Sequence, residues 1–336
     1  MKALKATCIA TSNIALVKYW GKRDKERNLP ANSSLSITMD EQLRTTTTVE
    51  FSKSYKSDEA QINGVRLKGE ELSRVVGTVD YLRRFSKTQF KARVVSENSF
   101  PTAAGLASSA SGFAALTLAT VKALQLELQP RQLSVITRLG SGSACRSLYG
   151  GFVEWKRGTL NDGSDSYSEQ IAPETHWPEL RNVIAIVQAG RKKQSSRKGM
   201  QQTAATSDLY QRRLAQVPYR MQRVKEAIRQ KNLGALLEET MKDSNSMHAV
   251  MLDSYPPILH LTDASRQVID AVHEFNGALG DTAAGYTFDA GPNAQIITTE
   301  KRAPAIGKIL SEIGGVQSVI TCRQGKGPQF TSKHLF

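Results

Sequence analysis

Cysteine is scarce in this chain: Cys8, Cys145 and Cys322 are the only three in 336 residues, and they stand far apart. No CxxC pair exists, so neither a disulfide framework nor a zinc site is expected, and a reducing compartment is the natural setting. Long apolar runs are missing too. The longest, Phe113–Val121, is about half a membrane span and carries two threonines. The N-terminal residues mix lysines with Ala, Leu and Thr without a signal-peptide core, and the ending His334-Leu335-Phe336 is not the peroxisomal Ser-Lys-Leu. A soluble cytoplasmic protein without membrane contact is the expectation.

The common catalytic signatures are absent as well. The nearest approach to GxxxxGK[ST] is Gly64–Gly69, followed by Glu70 where the lysine belongs. No GxGxxG opens a helix after a strand, and neither HExxH nor GxSxG occurs. His176, His248, His260, His273 and His334 show no ligand spacing, so no metal site is expected.

Positive charge, by contrast, is in excess: 45 Lys and Arg face 31 Asp and Glu, a net +14. Such a balance suits nucleic acid, an anionic membrane face or small polyanionic substrates. Nucleic-acid binders concentrate basic and aromatic residues in one stripe. Here the basic residues are spread among acids, and the densest cluster, Arg191-Lys192-Lys193 with Arg197-Lys198, sits among serines after an expected strand. Small phosphorylated substrates fit that layout better than a duplex, although a solvated basic surface accounts for many of these charges.

Hydrophobic residues make up 40% of the chain, enough for one large or two moderate domains with proper cores. Strands are predicted at Val49–Phe51, Ala60–Ile62, Ala92–Ser96, Phe152–Trp155 and Asn182–Val187, with helices at Glu70–Phe85 and Arg131–Leu139. Helices at 201–215, 219–231, 233–251 and 263–279 follow, then strands near 283–288, 293–299 and 316–321. This interleaving lacks the regular alternation of a doubly wound sheet, which makes α+β the expected class. Domains are expected at 1–185 and 186–336.

The most informative stretch is Phe100–Gly112, a proline-bounded loop of tiny residues running into an alanine-rich helix. Small side chains let backbone N–H groups reach an anion, and the helix start adds unpaired donors. Ser108, Ser109 and Ser111 bring hydroxyls to the same place. A helix packed closely on a sheet gives the same pattern. Three more segments are rich in chemistry. Ser12–Asp24 sets Lys18 and Lys22 around Tyr19, Trp20 and Gly21. Gly140–Ser147 is a hydroxyl-rich turn with Arg146 near its end, and a guanidinium fork suits a carboxylate. Tyr286–Asn293 places Asp289 before an Ala-Gly-Pro turn, where neighbouring cations would keep it ionised and able to orient or deprotonate a hydroxyl. Each has a plain alternative: a strand end, a helix-to-strand connection, a turn aspartate.

Together these segments resemble the mevalonate diphosphate decarboxylase family, within the superfamily of galactose, homoserine, mevalonate and phosphomevalonate kinases. The resemblance rests on Asn13 with Lys18–Arg23, Asn28–Pro30 with Asn32–Ser34, Asn98–Ala110, Gly140–Tyr149, Met241–Ser246 and Tyr286–Asn293, in that order, over residues 8 to 328. It implies a two-domain fold: an N-terminal α+β domain with a left-handed β-α-β crossover, a ferredoxin-like C-terminal domain, and a cleft between them. It also implies the reaction, in which ATP and (R)-5-diphosphomevalonate give isopentenyl diphosphate, ADP, phosphate and carbon dioxide.

By the same resemblance, Asp289, Arg146 and Lys18 are the catalytic residues. Substrate binding falls to Tyr19, Trp20, Gly21, Lys22, Arg74, Ser141, Gly142, Ser143, Ala144, Cys145, Arg146, Ser196 and Arg197. ATP binding falls to Asn98, Pro101, Ala103, Gly105, Leu106, Ser108 and Ser109. Magnesium would arrive on ATP, since no glutamate stands out to hold it, and a homodimer is the implied assembly. The rivals are a kinase of the same fold that stops at the phosphorylated alcohol, and a nucleic-acid-binding protein. Arg146 and Asp289 together favour the decarboxylase over the first, and the scattered charge disfavours the second.

Overall fold

The computed structural model describes residues 4–100, 108–187 and 195–336. The first half supplies β1 (Leu4–Thr11), β2 (Asn13–Val17), β3 (Lys22–Asp24), β4 (Leu29–Pro30), β5 (Ser34–Thr38), β6 (Arg44–Ser52), β7 (Glu59–Ile62), β8 (Val65–Arg66), α1 (Gly69–Arg83), β9 (Lys91–Asn98), α2 (Ser108–Ala123), α3 (Pro130–Gly140), β10 (Phe152–Trp155) and β11 (Ser168–Ala172). The second half supplies β12 (Leu180–Val187), α4 (Ser196–Thr206), α5 (Tyr210–Gln230), α6 (Leu233–Leu252), α7 (Asp263–Leu279), β13 (Ala284–Phe288), β14 (Ala294–Thr299), α8 (Ala303–Ser311), β15 (Val316–Arg323) and β16 (Gln329–Thr331). The class is α+β, as expected.

The first half holds a six-stranded sheet ordered β16-β1-β6-β9-β7-β8 and a four-stranded sheet ordered β11-β10-β5-β2. β7 and β9 are parallel neighbours joined through α1. Between β1 and β6 on one side and the 3-10 helix Gly142–Leu148 on the other lies α2. Its Ala110, Ser111, Ala114, Ala115, Thr117 and Ala119 are all buried, and such small side chains allow a helix enclosed nearly all round. Pro101, Ala103, Gly105 and Leu106, like Arg191, Lys192 and Lys193, lie outside the described residues.

The second half is built on an antiparallel sheet ordered β13-β14-β12-β15, the strand order of a ferredoxin-like unit. Side chains alternate along β12. Val183 and Ala185 join Val268, Val272, Ile306 and Leu310 on one face. Ile184 joins Leu236 and Leu237 on the other, in a cluster that also contains Ile37, Met39 and Phe152 from the first half. The two halves therefore share a core.

Two expectations need correction. The boundary at 185/186 cuts β12, whose pairing with β14 begins at Leu180, while β16 returns to pair with β1. A division before Leu180 keeps the sheet whole; an apolar run shows a buried strand but not which sheet it joins. The helices expected at 201–215 and 219–231 are also displaced, because α4 stops at Thr206 and α5 runs through Pro218. Asp253 fixes the real break by accepting from the Ser207 hydroxyl at 2.6 Å and the Leu209 N–H at 3.0 Å. Burial of Val217, Met221 and Val224 holds α5 together despite the N–H that Pro218 lacks.

Candidate active site

Four buried residues, Ile14 to Val17, carry β2 through the core and deliver Lys18 at its end. Lys18 is 1% exposed, and its Nζ donates to Asp289 Oδ1 at 2.7 Å across the junction of the two halves. Burial pushes the Lys18 ammonium down from its usual pKa, and the Asp289 charge pulls it back up. Asp289 itself stands just past β13, with its side chain 39% exposed. One carboxylate oxygen is thus tied to a buried cation while the group still reaches open space.

Arg146 comes from the 3-10 helix Gly142–Leu148 and is 3% exposed. Its Nε donates to Asn13 Oδ1 at 3.1 Å and its NH1 to the Ser34 hydroxyl at 2.7 Å. Asn13 is oriented in turn by donating to the Ser143 carbonyl at 3.2 Å and Ser147 Oγ at 2.8 Å. Both partners of Arg146 are neutral, and among the described residues no carboxylate forms an ion pair with it. Burial lowers its pKa, while the nearby Asp289 charge raises it. The guanidinium feels the carboxylate's charge without forming an ion pair with it.

A second group of cations lies beside Tyr19. Arg74 NH2 and Arg197 NH2 both donate to the Gly140 carbonyl, at 3.1 and 3.3 Å. Arg74 also lies 4.9 Å over the Phe113 ring. Lys22 donates to Asn28 Oδ1, and its pKa is pushed down to about 8, first by burial and then by repulsion from Arg197 and Arg74. The ion pair of this trio is Arg197 with Glu70 at 3.9 Å, and Glu70 is largely exposed. Three converging cations with so little counter-charge are arranged for a polyanion. The Tyr19 hydroxyl is buried near Arg197 without a partner among the described residues, and its ring meets Trp155 edge-on at 4.7 Å.

Comparison with known proteins bears directly on this site. Residues 10–168 match the diphosphomevalonate decarboxylase-like N-terminal domain, and residues 182–326 match the mevalonate 5-diphosphate decarboxylase C-terminal domain. The chain belongs to the diphosphomevalonate decarboxylase family. It is 45% identical to the diphosphomevalonate decarboxylase of Candida albicans, covering 98% of this chain and 99% of that relative. Mevalonate diphosphate decarboxylase from Staphylococcus aureus superposes with a TM-score of 0.91 at 35% identity, covering 98% of both chains. A structure of MDDEF in complex with MVAPP, AMPPCP and magnesium superposes with a TM-score of 0.90 at 36% identity, covering 98% of this chain and all of that one.

The remaining residues implied by the decarboxylase family divide by where their side chains go. Ser141 Oγ donates to Ser109 Oγ at 3.4 Å, linking the hydroxyl-rich turn to the first turn of α2, where Ser108 also sits. Asn98 closes β9 and accepts from the Thr45 hydroxyl at 2.7 Å. Ser196 and Arg197 open α4 behind the N-cap Ser195. Gly142 lies under the aromatic pair, since a Cβ there would come within 2.8 Å of Trp155 and 3.1 Å of Tyr19. Gly21 turns the chain at φ +105°, with the Tyr210 hydroxyl occupying the space of a Cβ.

Trp20, Ala144 and Cys145 have side chains buried in the fold. Trp20 is buried with Met200, Tyr210, Met247 and Ile258. Ala144 is enclosed, and Cys145 donates to the Gly142 carbonyl at 3.0 Å with its thiol pushed up to about 11 by burial.

Sequence reasoning left Asp243 without a role. It is fully buried on α6, accepts from the Lys18 backbone N–H at 2.6 Å and is matched by Arg213 and Arg220. Its signal was available: Leu236, Thr240, Asp243, Ser244, Met247 and Val250 fall on one helical stripe, and a carboxylate on an apolar stripe demands partners.

Proposed function

We propose that this chain catalyses the ATP-dependent decarboxylation of (R)-5-diphosphomevalonate, a step of isoprenoid biosynthesis by way of mevalonate. The observation that carries the residue assignments is the meeting of Asp289, Lys18 and Arg146, from both halves, beside the Lys22, Arg74 and Arg197 trio. The substrate diphosphate sits on the trio and the Tyr19 hydroxyl. Arg146 takes the C1 carboxylate, and Ser141, Ser143 and the backbone of the 3-10 helix shape the pocket around it.

Asp289 accepts the proton of the 3-hydroxyl as that oxygen attacks the γ-phosphorus of ATP, and ADP leaves. Lys18 holds the Asp289 carboxylate ionised and in place, a positioning contribution of the kind that dominates phosphoryl transfer. The C3–O bond then breaks with its electron pair on phosphate. The C1–C2 pair becomes the C2–C3 double bond as carbon dioxide departs. Arg146 keeps the leaving carboxylate aligned with the bond that breaks. Ser108 and Ser109 at the start of α2, with Asn98 at the end of β9, take the triphosphate in this reading. Magnesium carried on ATP would neutralise phosphate charge.

The assignment extends to a cytoplasmic homodimer. The cysteines are free and buried, as suits a reducing compartment, and Leu252, Tyr255 and Leu259 leave apolar surface near the end of α6 for a second copy. Light scattering should return twice the 36.9 kDa chain mass. The test of the chemistry is the Arg146→Ala variant under single turnover. The expected result is ADP formed near the normal rate with carbon dioxide release slowed about a hundredfold or more. Carbon dioxide keeping pace with ADP would place the carboxylate elsewhere.

A further inference from the structure

Lys18 and Asp289 come from opposite halves of the molecule, yet their 2.7 Å contact depends on consecutive residues of one helix turn. Asp243 Oδ2 accepts from the Lys18 backbone N–H at 2.6 Å, and Ser244 Oγ accepts from the Phe288 backbone N–H at 3.0 Å. Phe288 is the last residue of β13, an edge strand, and Asp289 follows it directly. Asp243 and Ser244 are both fully buried. The Lys18 carbonyl is held as well, by Asn32 Nδ2 at 2.9 Å and Arg213 NH2 at 3.4 Å.

We propose that the Asp243-Ser244 pair of α6 is the positioning element of the reaction, setting the ends of β2 and β13 so that the Lys18 ammonium meets the Asp289 carboxylate. The inference rests on the function proposed above. Neither residue touches substrate; each acts through the backbone of its neighbour. A buried ammonium without a counter-charge is costly, so the lysine stays charged only while its partners stay close. The groups that bear on Lys18 are Asp289 after β13, Asp243, His248 and Arg213 on the helices, and Arg146 on the 3-10 helix. Of these, Asp289 and Asp243 favour the charged form, whereas Arg146 opposes it.

The test uses Ser244→Ala, which removes one hydroxyl and leaves the Asp243 ion pairs intact. Thr240→Ala is the control: it lies one turn earlier on α6, is equally buried, and its hydroxyl has no partner among the described residues. Turnover and pH profiles are measured per folded active site, together with the melting temperature. Loosening Asp289 should cut kcat about 10- to 100-fold while KM for both substrates stays within about twofold, as expected of misplacement rather than lost binding.

The alkaline limb of the kcat profile should move to lower pH, since a lysine parted from its carboxylate loses its proton more readily. Thr240→Ala should leave that limb in place. An unchanged kcat in Ser244→Ala, or a decrease without movement of the limb, overturns the proposal and leaves Ser244 a merely structural residue. Wild-type protein that releases no carbon dioxide from ATP and diphosphomevalonate would instead overturn the functional reading on which the proposal stands.

Discussion

Lys18 is an ammonium held out of water at the end of a strand, and the Asp289 carboxylate makes that placement tolerable. The dependence runs both ways, so each residue has a distinct expected phenotype. Asp289→Asn removes the proposed proton acceptor and should lower turnover by about a thousandfold or more, with ATP still bound, as read by a fluorescent nucleotide analogue. Lys18→Met keeps the bulk and removes the charge; turnover should drop about a hundredfold through loss of positioning.

Lys22 gives a prediction in pH. With its pKa near 8 in the free protein, it is charged below that value and neutral above it. KM for diphosphomevalonate should therefore rise as pH climbs through about 8, and binding near that pH should take up a proton. Initial rates across pH and calorimetry in buffers of different ionisation heat check both parts; Lys22→Met should give a high, flat KM. At this scale the candidacy of Asp289 and Arg146 was legible, because a charged residue beside a glycine-rich turn is conspicuous in a sequence. That Lys18 is buried and Lys22 depressed was not, since both effects are set by neighbours up to hundreds of positions away.

Among the elements, the 3-10 helix Gly142–Leu148 and α6 do the most to build the site. The first packs against α2 and aims Arg146 inward, and it can lie so close only because Gly142 fits under Tyr19 and Trp155. Gly142→Ala should destabilise the fold by about 1–3 kcal/mol and raise KM by displacing Tyr19, measured by thermal melts alongside kinetics. The sequence shows this segment only as a run of Gly and Ser, because short i to i+3 turns have no extended periodicity to detect. α6 was legible as a helix, whereas its polar stripe was not read as a clamp. The reverse failure occurred at Pro218, where a local breaker signal was overridden by core contacts of α5.

For the molecule as a whole, the excess of positive charge, the α+β class and the presence of two parts were legible in the sequence, whereas the expected boundary at 185/186 cuts β12. Residues from both halves fill one core, and β16 carries the chain back beside β1. Urea unfolding followed by tryptophan fluorescence and by far-UV circular dichroism should accordingly give coincident single transitions. Two separated transitions would mean that the shared core does not couple the halves.

The most direct measurement of the central claim is a single turnover with ATP and diphosphomevalonate labelled in its C1 carboxyl carbon. Stoichiometric labelled carbon dioxide, phosphate and isopentenyl diphosphate for each ADP is the predicted result. ADP accompanied by a phosphorylated product that keeps its label would contradict it and make the chain a kinase.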